Sequence, residues 1–214
     1  MANPTDILNI AETGITTGNN WGTKYPNLAV TFVSQADYLA LHEVLRTDVV
    51  TQKANESNRT LQYAALKTTN AKIAAAQKYL KGYIAEQYDT ANAKTYYTAY
   101  GIEKKGNAYG IPVDNDQRMR ALDAMIATLS QTGNPFKTKK YGLTFWTALR
   151  DAHRTAWTQC KNIDGTRSVL SAAIKANKVL ALSYQSRLRQ QIKVNEPISY
   201  KNIWRDLGFQ AEKY

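Results

Sequence analysis

The chain has 214 residues, of which 43% are hydrophobic and 21% are charged, a balance typical of a globular protein and unlike that of a disordered chain. The formal net charge of +11 is uneven: residues 1–107 hold 11 Lys and Arg against 9 Asp and Glu, and residues 108–214 hold 17 against 8. This charge favours phosphate, acidic lipid or an acidic protein face as a partner. One cysteine and two histidines exclude an intrachain disulfide and argue against a zinc site.

The chain begins with "MANPTDILNIAETG", in which "NPTDILNIAE" is predicted to form a short helix within an N-terminal arm of residues 1–16. This start has neither the basic region nor the apolar region of a signal peptide. The sequence also has no apolar run of about 18 residues, so no transmembrane segment is predicted. We therefore expect a cytoplasmic protein by default, with association with a virion or another assembly as the alternative.

Two similar stretches follow at different places in the chain. "TGNNWGTKY" spans residues 17–25, and "TGNPFKTKKY" spans residues 132–141. Both are predicted to be Gly/Asn loops that precede a long helical region, because glycine and asparagine favour turns. The segment "LAVTFV" at residues 28–33 is the only strand candidate that this pattern offers.

The similarity extends through the helical regions. Residues 38–84 align without a gap on residues 146–192, and 12 of the 47 pairs are identical. Each copy then ends in a glycine followed by an apolar residue, in "AYGI" and "DLGF". The sequence therefore predicts two tandem repeats, repeat 1 at residues 17–102 and repeat 2 at residues 132–214, joined by a linker and connecting helix at residues 103–131.

Apolar residues in both repeats are spaced by three and four, which predicts an all-α fold. The matched tracts "KANESNRT" (residues 53–60) and "KNIDGTRS" (residues 161–168) contain turn residues, among them Asp164-Gly165. If these tracts are turns, each repeat is a helical hairpin and the chain is an antiparallel helical bundle. The alternative is one unbroken helix of about 50 residues in each repeat, because the apolar spacing continues across the tracts.

The linker "EKKGNAYGIPVDND" precedes a further predicted helix, "NDQRMRALDAMIATLSQ". Its "DNDQRM" start resembles a calcium loop, but Met119 replaces the turn glycine and Met125 replaces the bidentate glutamate. We therefore predict that Asp114 or Asp116 caps the helix.

The segment "TTNAKIAAAQKYLKGYIAEQYDTANAKTYYTAYGI", followed by "YGIPVDN", resembles a set of uncharacterised bacterial Ala-rich helical proteins of similar size, some of which carry a fibronectin type III domain. The resemblance covers residues 30–114, with fainter traces in residues 144–209. It implies a helical fold and no catalytic residue. This chain differs in having a second helical repeat and no sandwich domain.

His153 is the residue most suggestive of catalysis, since Asp151 and Cys160 lie near it in sequence. However, His153 falls on the apolar side of its predicted helix and aligns with Leu45, which indicates a packed histidine. Cys160 is seven residues away, too far for the contact that thiol catalysis requires. The sequence predicts no catalytic, cofactor-binding or metal-binding residues, and therefore no enzyme.

Two kinds of surface remain as candidates. Arg46, Lys53 and Lys67 lie seven and fourteen residues apart, and Arg154, Lys161 and Lys175 repeat this row, to which Lys139, Lys140 and Arg150 add charge. These rows indicate either an ordinary solvated helix face or an anion-binding surface. The two loops predict partner contacts through Trp21, Lys24, Phe136 and Lys139.

The first functional hypothesis is a non-enzymatic structural or interaction protein that contacts a protein partner or a second copy of itself, such as a component of a phage or another large bacterial assembly. The alternative is a nucleic-acid-binding protein that uses the basic C-terminal half.

Overall fold

The computed structural model describes residues 4–209 and confirms the all-α fold class. In this range, two helices of more than 50 residues are accompanied by shorter ones. The helices are α1 (Pro4–Lys24), α2 (Gln35–Tyr88), α3 (Ala93–Tyr96), α4 (Asn115–Ser130), α5 (Leu143–Asn195) and α6 (Tyr200–Asp206), with a 3-10 turn at Tyr97–Tyr100. A two-stranded hairpin of β1 (Glu103–Lys105) and β2 (Ala108–Gly110) lies before α4.

The chain forms two compact units. Unit 1 comprises Met1–Ser57 with Gly165–Tyr214, and unit 2 comprises Asn58–Asp164. The long helices α2 and α5 each contribute one part to unit 1 and the other part to unit 2. Each compact unit therefore contains residues of both predicted repeats.

The tracts at residues 53–60 and 161–168 are helical throughout, so the predicted turns are wrong and the unbroken-helix alternative describes both long helices. Asp164 and Gly165 suggested a turn because these residues favour non-helical backbone. In the structure, Asp164 instead accepts hydrogen bonds from Arg59 Nε and from the Tyr63 hydroxyl, both at 2.7 Å. This side-chain partnership, together with the continuous apolar spacing, offsets the cost of about 1 kcal/mol for a glycine inside a helix.

Unit 1 has two apolar clusters, which join α1 and α6 to its parts of α2 and α5. The buried members are Trp21, Tyr38, Leu188, Ile192, Ile203, Leu207 and Phe209 in one cluster, and Ala11, Leu45, Val49, Ile174 and Ala181 in the other. The stretch at residues 17–24, predicted as part of a loop, forms the last two turns of α1. It is helical because Trp21 on its inner face packs edge-on against Tyr38, with ring centroids 5.9 Å apart.

A close contact sets the position of α1 within unit 1. Gly14 lies against the buried ring of His42, and a Cβ atom at this glycine would be 1.7 Å from His42 Cδ2. His42 Nδ1 donates to the Tyr38 carbonyl at 2.8 Å, and Gln185 Nε2 lies 3.2 Å from His42 Nε2 and donates to the Ile10 carbonyl at 2.9 Å. Burial lowers the pKa of His42, so the neutral ring is the form that packs here.

Unit 2 has the larger core, which fills the space between its parts of α2 and α5, the α3 region and α4. Its buried residues include Ile73, Leu80, Ile84, Tyr100, Ile102, Leu122, Met125, Leu129, Phe136 and Trp146. Burying one such large apolar side chain contributes about 1.5–3 kcal/mol. Asp114 caps α4 as predicted, because its carboxylate accepts from the backbone N–H groups of Asp116 and Gln117.

The strand assignments differ from the sequence prediction. Residues 28–33 form no strand, whereas the linker contains the hairpin of β1 and β2. Gly106 supports its two-residue turn with a positive φ of 60°, a conformation that glycine adopts without steric cost.

Both units close with the same backbone motif. Gly101 in unit 2 and Gly208 in unit 1 have φ values of 66° and 91°. The N–H groups of the residues that follow, Ile102 and Phe209, donate to the carbonyl groups five residues earlier, at 3.0 and 2.9 Å. Both apolar residues are buried, which places a left-handed glycine and an anchored side chain at the end of each short helical segment.

An ion pair between α2 and α5 also occurs in each unit. In unit 2, Arg59 Nε lies 2.7 Å from Asp164 Oδ1, and in unit 1 an Arg167 guanidinium nitrogen lies 3.7 Å from Glu56 Oε1. These pairs occupy matching positions in the sequence alignment, since Arg59 aligns with Arg167 and Glu56 with Asp164.

Candidate interaction surface

Unit 2 carries most of the positive charge. It holds 16 Lys and Arg against 8 Asp and Glu, which gives +8 of the total +11. The +9 of residues 108–214 is shared between the units: residues 108–164 contribute +3 to unit 2, and residues 165–214 contribute +6 to unit 1, where the −3 of residues 1–57 partly offsets it. A surface with this charge attracts partners of opposite sign.

Three cations of the predicted anion-binding rows bind acidic residues of α4 within unit 2. Arg150 and Arg154 both contact Asp123 Oδ1, at 2.8 and 2.9 Å. Lys161 lies 3.4 Å from an Asp116 carboxylate oxygen. The hydrogen bond to Asp123 raises the pKa of Arg150. These side chains hold α4 against α5, and their charge is already partly neutralised.

The remaining cations of the rows differ in their surroundings. Arg46 lies 4.0 Å from Glu12 in unit 1. By contrast, Lys53, Lys67 and Lys175 are exposed and have no ion-pair partner among the described residues. Some cations of the predicted rows thus form ion pairs within the fold, and others have no such partner among the described residues. The rows also extend over both compact units.

The predicted contact aromatics are not exposed. Trp21 is 4% exposed and Phe136 is 2% exposed. Phe136 packs among Tyr83, Tyr88 and Tyr100, with ring centroids 5.7–6.4 Å away. Both rings lie in the cores of their units, where they anchor α1 and the loop before α5, so the structure offers neither ring as an exposed contact.

The predicted contact lysines do remain on the surface. Lys24 is exposed in the last turn of α1. Lys139 is also exposed, and its ammonium lies 5.5 Å from the centre of the Tyr83 ring.

A groove of about 570 Å³ opens between α2 and α5 within unit 2. Its lining is mostly apolar, with alanines along both helices and lysines at one side. The lining residues are Lys72, Ala75, Ala76, Lys78, Tyr79, Tyr141, Phe145, Ala148, Leu149 and Ala152. We name this feature the alanine groove. Because alanine side chains are short, they allow another chain to approach the two helices closely.

Aromatic rings form one end of the alanine groove. The rings of Tyr79 and Tyr141 stack with centroids 4.2 Å apart and an interplanar angle of 1°, and Phe145 meets Tyr141 edge-on at 4.9 Å. Lys78 Nζ lies 4.9 Å from the Tyr79 ring centre, and Lys140 Nζ lies 5.6 Å from that of Tyr141. Such cation–π contacts place positive charge around the stacked pair.

The loop before α5 is held in place by Gly142. A Cβ atom at Gly142 would lie 2.3–2.7 Å from the carbonyl oxygens of Phe136, Lys137 and Lys139. The Gly142 N–H also donates to the Lys139 carbonyl at 2.8 Å. This tight turn, together with the buried Phe136 ring, fixes the loop next to Tyr141.

The residues most suggestive of catalysis lie in the interior of unit 2. His153 is fully buried, with Nδ1 3.1 Å from the Met119 sulfur and Nε2 3.3 Å from the Asn115 side-chain oxygen. Burial and then the charge of Arg118 lower the pKa of His153 to about 4. Burial raises the pKa of the Cys160 thiol, so the unreactive protonated form is favoured.

Comparison with protein-family models, with curated proteins and with solved structures finds no match to this chain. Within residues 4–209, no helix combines the length and apolar character needed to cross a bilayer.

Sequence reasoning missed the groove residues Lys72, Lys78, Tyr79 and Tyr141. A signal was present in "AKIAAAQKY", where alanines lie between lysines on one helix. The pattern indicates helix formation equally well, and only the position of α5 reveals which alanines line a surface.

Proposed function

We propose that the protein is a non-enzymatic scaffold or interaction protein. In this proposal, its two repeats are diverged copies of one ancestral sequence, and they offer different surfaces to partners. The observation that carries this proposal is the contrast between a shared set of structural contacts, here called the frame, and unlike surfaces around it. The frame comprises the matched ion pairs Arg59–Asp164 and Arg167–Glu56 and the matched closing glycines Gly101 and Gly208.

The frame supports duplication because each of its contacts requires two particular residues to be present together in both repeats. An arginine and an acid must be retained together for the ion pair to form, and a left-handed glycine must be followed by an apolar residue for the closing motif to form. The ion-pair residues are equivalent in the gap-free alignment, and each closing glycine follows its aligned region at a similar distance, 17 residues after Ile84 for Gly101 and 16 residues after Ile192 for Gly208. In this proposal, the repeats pair so that each compact unit takes the start of one repeat and the end of the other.

The surfaces over this frame differ in chemistry. Lys72, Lys78 and Tyr79 of unit 2 align with Leu180, Ser186 and Arg187 of unit 1. Ala152 of the alanine groove aligns with Val44, which is 49% exposed. A scaffold that retained its frame and changed its faces is suited to hold two partners, as a component of a phage or of another large bacterial assembly.

Two observations support a role without catalysis. His153 and Cys160 are buried and occupied with packing contacts, and Arg150 and Arg154 are bound to Asp123. The second candidate function is nucleic-acid binding, which the +8 charge of unit 2 favours. Binding of that kind would weaken steeply as salt is added.

Site-specific photocrosslinking in the expressing cell tests the scaffold proposal. A benzophenone amino acid is placed at Val44 in unit 1 or at Tyr79 in unit 2, with the exposed positions Val194 and Val113 as matched controls. We expect different crosslinked proteins at Val44 and Tyr79, and neither product at the control positions. If Val44 and Tyr79 yield only the products seen at the controls, the two-surface proposal is rejected.

A further inference from the structure

We infer that the alanine groove of unit 2 binds an acidic amphipathic helix of a partner protein. This inference deepens the scaffold proposal by naming the chemistry of one partner. It rests on the shape of the groove, on the charge along its side and on the state of its aromatic rings.

The dimensions of the groove fit a helix of about two turns. The helical lining segments, Lys72–Tyr79 on α2 and Phe145–Ala152 on α5, each extend for about 10 Å at the rise of an α-helix, and Tyr141 lies just before α5. Ala75, Ala148 and Ala152 are exposed along these segments. Small side chains between two helices let a third helix approach to an axial distance of about 8–10 Å, with its larger apolar side chains entering the groove.

The groove lies on the side of α5 that is turned away from α4. Arg150, Arg154 and Trp157 face α4, where they contact Asp123 and Asp116. Ala148 and Ala152 lie on a different face, because residues two positions apart on a helix differ by about 200°. A helix in the groove would therefore add to the bundle without displacing α4.

Charge complementarity identifies the occupant as acidic. The groove lining contains Lys72 and Lys78 and no acidic residue. Both lysines are exposed and have no ion-pair partner among the described residues, and Lys140 adds a third cation beside Tyr141. Glutamates or aspartates beside the apolar face of a helix would meet these ammonium groups.

The aromatic end of the groove favours a protein partner over nucleic acid. Single strands bind by stacking bases on free aromatic faces. Tyr79 and Tyr141 already stack on each other, while Lys78 and Lys140 lie against their rings. The apolar alanine floor also offers nothing to a phosphate backbone, whereas it provides a dry surface for leucine or isoleucine side chains.

Selection from a displayed library of random peptides, about 12 residues long and thus about 18 Å as helices, tests this inference on the full chain. Selected peptides should be acidic, with apolar residues at helical spacing. Ala148→Trp, which fills the groove from an exposed helix position, should weaken their binding by about tenfold or more. Ala74→Trp, an exposed position on the other side of α2, is the matched control and should leave binding within about twofold.

A charge variant provides a second test that does not alter the groove volume. Lys72→Glu with Lys78→Glu should weaken binding of the acidic peptides by about tenfold. Lys67→Glu with Lys94→Glu changes the net charge equally at exposed positions outside the groove, and it should have little effect. Circular dichroism of all four variants confirms that the helices are retained.

Several outcomes would overturn the inference. These are selection of no peptide, selection of basic peptides, or binding that is insensitive to Ala148→Trp. Loss of self-association in Ala148→Trp, measured by light scattering, would assign the groove to a second copy of this chain. Tight binding of single-stranded DNA that is lost only in the Lys72/Lys78 variant would assign the lysines to nucleic acid. Groove-dependent peptide binding without a specific crosslink at Val44 would reject the two-surface scaffold and support the groove as a peptide site. Specific, different crosslinks at Val44 and Tyr79 without binding of acidic peptides would support the scaffold and reject an acidic helix as the occupant of the groove.

Discussion

At the scale of single residues, His153 shows how a residue type common in active sites can serve packing. Its alignment with Leu45, which is also fully buried, indicates an apolar position in both repeats. The imidazole ring fills that position in unit 2 and directs its two nitrogens at Met119 and Asn115. The positive charge of Arg118 nearby makes protonation of the ring still less favourable.

The lowered pKa of His153 predicts a loss of stability in acid. The folded-state pKa is about 4 against about 6.5 in the unfolded chain, so the unfolded state takes up a proton first as the pH falls. Stability from the neutral ring is complete above about pH 6.5 and disappears as the pH falls to about 4. When the pH falls from 7 to 4.5, the unfolding free energy of the unmodified protein should therefore decrease by about 2 kcal/mol more than that of His153→Leu.

Urea unfolding at both pH values measures this difference. Carboxylates titrate in both proteins, so the comparison isolates the histidine. Leucine is suited to the position because Leu45 occupies the aligned one. An equal acid loss in the two proteins would mean that His153 is not buried in its neutral form.

Residue type alone could locate only part of the candidate site. The sequence identified Lys139 and Lys140 as surface cations, and both are exposed. It could not separate Trp21 and Phe136 from the contact surface, because a large aromatic in a polar loop suits either an anchor for a partner or an anchor for the loop itself. Only the packing of neighbouring tyrosines distinguishes the two roles.

At the scale of elements, the continuity of α5 through Gly165 distinguishes an unbroken helix from the turn that the sequence also suggested at residues 161–168. Gly165 has no heavy atom within 4 Å of a Cβ placed on it, and it is not among the glycines with positive φ. In a helix, Gly165→Ala should therefore raise the unfolding free energy by about 0.5–1 kcal/mol. In a turn with left-handed backbone, the same change would be destabilising.

Thermal and urea unfolding of Gly165→Ala show whether the change raises or lowers the unfolding free energy. Gly82→Ala, in a similarly open position of α2, should be stabilising to a similar degree. Gly14→Ala provides the opposite control, because its Cβ would overlap the buried His42 ring. A destabilised Gly165→Ala variant beside a stabilised Gly82→Ala variant would contradict the unbroken helix.

Periodicity predicted that helices occupy these regions, and the Asp114 cap and α4 followed from local signals. The sequence could not decide between a turn and an unbroken helix at residues 161–168, because the Asp164 carboxylate accepts hydrogen bonds from Arg59 and Tyr63, which are about 100 residues away in sequence. The hairpin of β1 and β2 was only partly predictable. Gly106-Asn107 is a two-residue turn sequence, but the three residues of each flanking strand are too few to show strand alternation.

At the scale of the whole molecule, the two compact units depend on both halves of the chain. Unit 1 takes α1 and the first part of α2 from the N-terminal half, and the last part of α5 and α6 from the C-terminal half. Unit 2 takes the last part of α2 and α3 from the first half, and α4 and the first part of α5 from the second. Local periodicity cannot reveal this arrangement, because it depends on pairing between distant segments.

Cutting the chain in the exposed hairpin turn between Gly106 and Asn107 tests this dependence. Residues 1–106 alone lack the partners of Leu80 and Ile84 in α4 and α5, and residues 107–214 alone lack the partners of Leu188 and Ile192 in α1 and α2. We therefore expect that neither fragment unfolds cooperatively as a monomer. When the fragments are mixed, they should form a 1:1 complex with the helix content of the intact chain, as measured by circular dichroism and light scattering.

The oligomeric state and melting of each isolated fragment test the proposed duplication. If the two repeats are copies of one unit, a fragment has the segments needed to pair with a second copy of itself, so weak homodimers at high concentration agree with the proposed duplication. A fragment that is monomeric and melts cooperatively would instead be a self-contained domain. That result would contradict the division into compact units, since exposed apolar faces on half of α2 or α5 cannot be buried within a single fragment of this kind.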